Sequence, residues 1–289
     1  MRKFIVILAA VALLTACTAQ ATQPAVQPLA TLPANVTPLV TQVGAGVVAP
    51  SNHYEAIKQA GVIRVGTSAD YPPFEFLDSN GARLGLDIEL MEEIGGRMGV
   101  LVEWVDLPFE ELVGAVQAGR IDAAISAFEL TPDRDAQVDF SRAYYTPEDA
   151  FIAAPNFTGQ IGKPEDAAAY VVGVQAGSAQ ETWLKETLVQ AGTMPETSVK
   201  AYEQMDEAVA DLNAGSIELI MLDYIPAQSL VQANPGTSIA FHGSASGGPL
   251  HIAIPSGDAE LAQALDAVIQ HLESEGFIQN LEIRYIGAQ

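Results

Sequence analysis

A cation stands at an unfavourable place in the stretch FELTPDRD, residues 128–135. Thr131 followed by Pro132 predicts the start of a helix, because threonine caps free backbone N–H groups and proline suits the first helical position. Arg134 then falls in the first turn, where the helix dipole disfavours an exposed cation by ~0.3–1 kcal/mol. Either this arginine pairs with an acid beside it on a solvated surface, or it is kept for an anion that is not part of the chain. The neighbouring acids are Glu129, Asp133 and Asp135.

An aspartate in the second half of the chain offers the opposite charge. Asp223 follows the apolar run IELIML, and a buried acid is costly unless it is paired. An arginine and an aspartate that face each other complement a zwitterion, because the guanidinium forks onto a carboxylate and the aspartate accepts from an ammonium. Tyr71 and Phe109 add aromatic rings beside predicted strands. For Phe109, plain core packing is an equal alternative.

The elements that must position these side chains alternate between strands and helices from about His53 onward. Buried strands are predicted at VIRVG (62–66), LVEWV (101–105), IDAAIS (121–126), YVVGV (170–174), ETSVKAY (196–202) and IELIML (217–222). Apolar residues at helical spacing predict amphipathic helices at Leu86 to Met98, Phe109 to Val116, from Gln180, around Val209 and Leu212, and at Leu261 to Leu272. This alternation favours an α/β fold with mainly parallel sheets.

The two halves of the chain resemble each other. FEELVGAVQAGRIDAAISAF (109–128) aligns without gaps on MDEAVADLNAGSIELIMLDY (205–224), so a helix, an Ala-Gly turn and a buried strand occur twice. Chance similarity between α/β units is the alternative to a true repeat. If the repeat is real, the ends of the two strands are equivalent, and ligands of open α/β sheets bind outside the carboxyl ends of strands. Arg134 and Asp223 would then face one cleft between two lobes.

The composition limits the classes of partner. The chain has 289 residues, 49% of them hydrophobic, and a formal net charge of −23. That length allows two domains of ordinary size. So acidic a surface repels nucleic acid and anionic membranes, so we expect no DNA or RNA partner.

The N-terminal residues predict export. MRKFIVILAAVALLTA (1–16) has two cations before an apolar run that is too short to span a bilayer, which is typical of a secretory signal peptide. Cys17, the single cysteine, follows in LTAC, which resembles the bacterial lipobox; a chance unpaired cysteine is the alternative. Two or more acyl chains on Cys17 would anchor the protein stably. Residues 17–54 lack periodicity over most of their length and predict a disordered linker between lipid and folded part.

A set of motifs from about Gly61 to Tyr285 resembles a known family. The motifs are VGTSADYPPFEF, LGLDIELM, AGRIDAAISAFELTPDR, VDFSRAYY, VGVQAGSAQE and the late LDY. In this order they resemble the polar amino-acid-binding proteins of ABC importers, in periplasmic or lipid-anchored form. The resemblance implies a two-lobed type II periplasmic-binding-protein fold, with a hinge and a ligand cleft between lobes. It assigns 55–153 and 247–289 to lobe 1 and 154–246 to lobe 2. It also implies an extracytoplasmic monomer that delivers an amino acid to a permease and ATPase complex. The sequence has no HExxH motif, no P-loop and no histidine spacing typical of a metal site, so no metal or cofactor is expected.

The same resemblance assigns roles to individual residues. Arg134 matches the arginine that binds the ligand α-carboxylate, Ser178 matches a donor to that carboxylate at a helix start, and Asp223 matches the acid that binds the α-amino group. Tyr71 and Phe109 match aromatics that enclose the ligand side chain. Ser126 and Ala127 match positions that lend backbone carbonyls, and Gln175 in VGVQAGSAQE completes the candidate set with Ser68 and Glu129.

Two departures from the family pattern bear on the ligand. Glu129 stands where many members have serine or threonine, and some arginine-binding members also have an acid there. Ser68 stands where lysine-, histidine- and glutamine-binding members have an aspartate. The first departure favours a cationic ligand and the second removes a counter-charge. Arginine is the first expectation, because a guanidinium can stack between Tyr71 and Phe109 without a dedicated acid.

An enzyme on the same scaffold is the competing class of function, since cyclohexadienyl dehydratases resemble these binding proteins. Such an enzyme needs a carboxylic acid that protonates a leaving group, and Glu129 is the acid that the sequence offers for this role. For the binding class, we expect ligand capture by closure of the lobes. The chain is expected to cross between lobes near 144–155 and again near 246–255.

Overall fold

The computed structural model describes residues 52–287. The predicted signal peptide, Cys17 and most of the predicted linker lie outside these residues. The linker prediction through residue 54 extends too far, because the first helix begins at His53, with the Asn52 side chain accepting a hydrogen bond from the Glu55 N–H at 2.8 Å. No helix between residues 52 and 287 is long and apolar enough to cross a membrane.

Helices and strands alternate along the described chain. The helices are α1 (His53–Ala60), α2 (Leu86–Met98), α3 (Leu112–Gln117), α4 (Pro132–Asp135), α5 (Ala179–Trp183), α6 (Met205–Ala214), α7 (Tyr224–Ala233), α8 (Ala259–Ser274) and α9 (Phe277–Tyr285). The strands are β1 (Val62–Thr67), β2 (Asp70–Tyr71), β3 (Glu75–Leu77), β4 (Arg83–Leu84), β5 (Leu101–Asp106), β6 (Ala123–Glu129), β7 (Asp139–Phe140), β8 (Asp149–Ala153), β9 (Val172–Gln175), β10 (Val199–Tyr202), β11 (Leu219–Asp223), β12 (Ser238–Gly243) and β13 (Leu250–Ile254).

Two five-stranded sheets form the centres of two lobes. In lobe 1 the strand order is β5-β1-β6-β13-β7, and in lobe 2 it is β10-β9-β11-β8-β12. In lobe 1 only β13 runs against the others, and in lobe 2 only β8 does. The expectation of mainly parallel sheets is therefore confirmed for strand direction, with one reversed strand in each sheet. The third small sheet, β2-β3-β4, belongs to lobe 1 and carries Tyr71 and Glu75.

The predicted repeat corresponds to equivalent places in the two sheets. β6 and β11 are both central strands, and α3 and α6 precede them in sequence. Both strands are buried along their whole length. β6 continues through Phe128 and Glu129, so the strand predicted at IDAAIS (121–126) ends three residues later than expected. The reason is antiparallel pairing with β13, in which Leu250 lies opposite Glu129.

The two helices near the C-terminus pack on lobe 1, and the amphipathic helix predicted at Leu261 to Leu272 is part of α8. α8 packs against α1, α2 and α9, with Leu261, Leu265 and Leu272 fully buried. The chain passes between the sheets twice, from β7 to β8 and from β12 to β13. Two crossings of this kind are typical of a hinge, because the few residues that connect the lobes can absorb the change of backbone angles when the lobes move. The predicted end of the first part of lobe 1 at residue 153 is too late, because β8 pairs with β11 and β12 in the sheet of lobe 2.

Candidate ligand-binding cleft between the lobes

Arg134 is buried in the cleft. Its helix starts as predicted, with Pro132 at the first position and the Thr131 hydroxyl accepting the Arg134 N–H at 3.3 Å. The guanidinium Nη1 donates to the Glu129 carbonyl at 2.7 Å, and Nη2 donates across the cleft to the Gly177 carbonyl at 2.8 Å. Arg134 is 7% exposed, and its hydrogen bonds go to backbone carbonyls. The solvated surface pairing considered for this arginine is therefore wrong.

Aromatic rings support the guanidinium from lobe 1. The Arg134 Cζ lies 5.1 Å from the Phe109 ring and 5.0 Å from the Phe128 ring, and these two rings stack at 4.7 Å. Such contacts hold a desolvated cation. Within residues 52–287, Phe109 thus stacks on Phe128 and Tyr71 on Phe74, rather than Tyr71 on Phe109. The stacking of a ligand guanidinium between Tyr71 and Phe109 stays a prediction.

Three carboxylates converge opposite this arginine. Glu129 from lobe 1 and Asp149 and Asp223 from lobe 2 are all buried, and one oxygen of each lies within 4.8 Å of the others. The Gln180 side-chain amide bridges them, donating to Asp223 at 3.1 Å, Asp149 at 3.3 Å and Glu129 at 3.4 Å. A donor nitrogen of the chain itself therefore lies among the three carboxylates.

The three acids differ in how many hydrogen bonds they accept from the protein. Asp149 accepts from the backbone N–H groups of Ala245, Ser246 and Gly247 at 2.8, 2.9 and 3.2 Å, and from the Ser246 hydroxyl. It thereby ties the start of β8 to the second crossing. A hard divalent cation wants six or more oxygen ligands, and the Asp149 oxygens are already engaged by these donors. The arrangement suits an ammonium better than a metal ion.

Burial and nearby negative charge raise the pKa values of Glu129 and Asp223. Burial, followed by the charge of Asp149, raises the pKa of Asp223 to about 8. Burial, followed by the charges of Asp223 and Asp149, raises the pKa of Glu129 well above its usual range. Burial lowers the pKa of Arg134 to about 10, and the charge of Glu129 opposes that change. A cationic group brought into the cleft would relieve this repulsion.

Hydrogen bonds join the two lobes directly. The Asp223 N–H donates to the Tyr71 hydroxyl at 2.9 Å. The Met205 N–H at the start of α6 donates to Asp70 at 3.0 Å, and α6 has no capping side chain of its own. Together with the bonds from Arg134 to Gly177 and from Gln180 to Glu129, these contacts close the cleft.

The remaining candidates line the same region. Ser68 donates its backbone N–H to the Ser126 hydroxyl at 3.1 Å and its own hydroxyl to Asp70 at 3.1 Å. The Gln175 side chain reaches Asp70 at 3.5 Å. Ser178 caps α5, its hydroxyl accepting from the Glu181 N–H at 3.1 Å. All ten candidate residues from the sequence are buried around this cleft; their roles toward a ligand stay predictions.

Several cleft residues were not found from the sequence: Asp70, Asp149 and Gln180. Asp70 and Gln180 lie within quoted motifs, next to residues that were chosen. Asp149 opens the apolar run DAFIA, and an acid at the head of a fully buried strand is a usable signal. Their convergence depends on contacts between distant parts of the chain.

The fold and the cleft define a two-lobed ligand-binding protein of the type II periplasmic-binding-protein class. The sequence profile of the bacterial extracellular solute-binding proteins, family 3, matches residues 63–288, and the chain belongs to that family. A lysine/arginine/ornithine-binding periplasmic protein of Escherichia coli (strain K12) is 29% identical over 253 residues, covering 83% of this chain and 92% of the relative.

Solved structures are similar over the same region. An ancestral arginine-binding protein bound to glutamine has a TM-score of 0.72 at 33% identity, covering 79% of this chain and 99% of that one. An ancestral amino acid-binding protein described as a precursor of cyclohexadienyl dehydratase has a TM-score of 0.70 at 28% identity, covering 80% and 98%.

Proposed function

We propose that this protein captures a basic amino acid outside the cytoplasm and delivers it to an ABC importer. The observation that carries the proposal is the charge pattern of the closed cleft, where buried Arg134 faces the cluster of Glu129, Asp149 and Asp223. A guanidinium binds a carboxylate, and the acid cluster binds ammonium or guanidinium groups. A ligand with one carboxylate and two cationic groups matches this pattern better than a neutral or acidic amino acid.

The relatives support the same class of ligand. Amino-acid binding is named for the similar Escherichia coli protein, which takes lysine, arginine and ornithine, and for the ancestral arginine-binding protein. The latter is bound to glutamine, so related clefts accept more than one polar side chain. We place arginine and its basic relatives first, with glutamine and histidine behind them.

A thermal-shift screen of the common amino acids with ligand-stripped protein tests the ligand class. A ligand at a hundredfold excess over its dissociation constant should stabilise the protein by ~2.7 kcal/mol. Arginine, lysine and ornithine are expected to shift the melting temperature most. Stabilisation by acidic or aliphatic amino acids alone would contradict the choice of ligand.

Arg134→Ala tests the site itself. Removing a charge-assisted pair in a desolvated cleft is expected to weaken arginine binding by ~2–5 kcal/mol, measured by calorimetry. Arg120→Ala is the control, because Arg120 is exposed and its ion pair with Glu111 is long, at 3.5 Å. Wild-type affinity in the Arg134 variant would remove the arginine from the binding mechanism.

The membrane anchor is part of the proposal. LTAC with Cys17 as the single cysteine supports lipid attachment. Cys17→Ala is expected to release soluble protein or to block processing. Mass spectrometry of the membrane-extracted protein should find a diacylglyceryl cysteine, and an unmodified Cys17 would contradict the anchor.

A dehydratase activity is the second candidate, because Glu129 is a buried acid with a raised pKa and one solved neighbour is a dehydratase precursor. A carboxylic acid that keeps its proton can protonate a leaving group. We expect no product when arogenate or prephenate is incubated with the protein. Turnover, combined with no stabilisation by amino acids, would make Glu129 the catalytic acid and overturn the transport proposal.

A further inference from the structure

A second pair of acids lies behind the cleft, outside the set that would touch a ligand. Glu75 on β3 and Asp87 in the first turn of α2 are 1% and 0% exposed. The two carboxyl groups lie near enough to each other for one to donate to the other if it carries a proton. Glu75 Oε2 and Asp87 Oδ1 are buried, and no N–H or O–H group of the described chain donates to either of them. Two ionised carboxylates offer only acceptors, so these facing oxygens need a proton between them.

The outer oxygens of the pair hold one segment of β6. Glu75 Oε1 accepts from the Ser126 hydroxyl at 3.0 Å, and Asp87 Oδ2 accepts from the Ala127 N–H at 2.8 Å. Ala127 has a φ of 47°, in the left-handed region that a residue with a Cβ rarely adopts. A strained backbone of this kind persists only where surrounding contacts determine it, and the acid pair supplies two of those contacts.

We propose that Glu75 carries a proton that it donates to Asp87, and that this pair positions the Ser126–Ala127 segment for ligand binding. The role in binding rests on the proposed function, whereas the proton and the backbone geometry do not. Glu75 and Asp87 are positioning residues, because they reach the cleft only through Ser126 and Ala127. The Tyr144 hydroxyl donates to Asp87 Oδ2 at 2.8 Å and completes the arrangement.

The charged and titratable groups around the pair favour the shared proton. Burial, followed by the charge of Asp87, raises the pKa of Glu75 well above its usual range, and Asp70 acts in the same direction. Burial raises the pKa of Asp87 to about 6. Tyr71 and Tyr144 face the pair as neutral phenols, and Asp223 senses the charge of Asp87. One negative charge is therefore shared by the two carboxyl groups.

Two variants of Glu75 distinguish the effect of its hydrogen bonds from the effect of its side-chain volume. Glu75→Gln keeps an N–H donor toward Asp87 and an acceptor for Ser126, which mimics the protonated acid. Glu75→Met fills similar space and removes both hydrogen bonds. Glu103→Gln, at an exposed position on β5, controls for the loss of one acidic group.

The first measurement needs no ligand. When folding raises the pKa of an acid, the folded protein loses stability as the pH rises above the ordinary pKa of that acid, which is 4.5 for glutamate. Glutamine does not titrate, so Glu75→Gln lacks this loss. The ratio of folding equilibrium constants, Glu75→Gln to wild type, is expected to increase by up to about tenfold per pH unit above that value. A ratio that does not change with pH, or that changes no more than the ratio measured for Glu103→Gln, would overturn the proton on Glu75.

The second measurement reads the backbone and the ligand. The Ala127 amide resonance in the NMR spectrum should move in Glu75→Met and stay in place in Glu75→Gln. L-arginine affinity should fall by about tenfold or more in Glu75→Met and by no more than about threefold in Glu75→Gln. An unchanged Ala127 resonance in Glu75→Met would overturn the positioning role. If wild type binds no basic amino acid, the proposed ligand fails while the amide resonance still decides the role of the pair.

Discussion

Arginine binding is expected to weaken on acidification, because the cleft must lose a proton to receive a cation. The pKa of Asp223 is about 8 before a ligand is present, and only the ionised form pairs with an ammonium. When only the ionised form of a site binds, the observed affinity is proportional to the ionised fraction of that site. Between about pH 8 and pH 6 that fraction falls about fiftyfold, equivalent to ~2.3 kcal/mol. Glu129, whose pKa is also raised, acts in the same direction.

Isothermal titration calorimetry with L-arginine measures this effect in two ways. The dissociation constant is determined at several pH values between about 6 and 8, and buffers of different ionisation enthalpy report the protons released. Near pH 7 about 0.9 proton should leave Asp223 for each ligand bound. Asp223→Asn is expected to bind more weakly with a flatter profile. Asp135→Asn, exposed on α4, should retain the wild-type profile. Constant affinity without proton release would refute the assignment of Asp223 as the ammonium acceptor.

Three further predictions address closure and stability. Tyr71→Phe leaves the buried Asp223 N–H without its acceptor in the closed state, so calorimetry should show ~1–3 kcal/mol weaker ligand binding; unchanged affinity would contradict this. Asp70→Ala removes the cap of α6 across the cleft, and small-angle scattering should find a more open ligand-free protein, with the closed state weakened by ~0.5–2 kcal/mol. Burial opposes protonation of His53, but its hydrogen bonds to Asp122 and Asp258 raise the pKa above 6.5. His53 therefore stabilises the fold below about pH 6.5, and this contribution is lost as the pH rises. In urea unfolding, the free energy of unfolding of wild type should approach that of His53→Gln above neutral pH.

The features predicted correctly from the sequence depend on local signals. Thr131 and Pro132 start a helix by capping and backbone restriction, and these operate within a few residues. The alternation of apolar runs likewise predicted β1, α2 and β11. The true end of β6 depends instead on pairing with β13, more than a hundred residues later. The left-handed Ala127 donates its N–H to Asp87, 40 residues away in sequence, and the Gln180 amide bridges acids from both lobes. No local pattern encodes such distances.

The interrupted course of lobe 1 has a consequence for the order of folding. Its sheet places β13, residues Leu250–Ile254, between β6 and β7, so the lobe lacks an internal strand until most of the chain is available. Lobe 2 has all five strands within residues 149–243 and can complete its own sheet earlier. Closing a sheet over so long a loop is intrinsically slow. During synthesis or export, the exposed edges of β6 and β7 are therefore the surfaces that need protection from misassociation until the C-terminal part arrives.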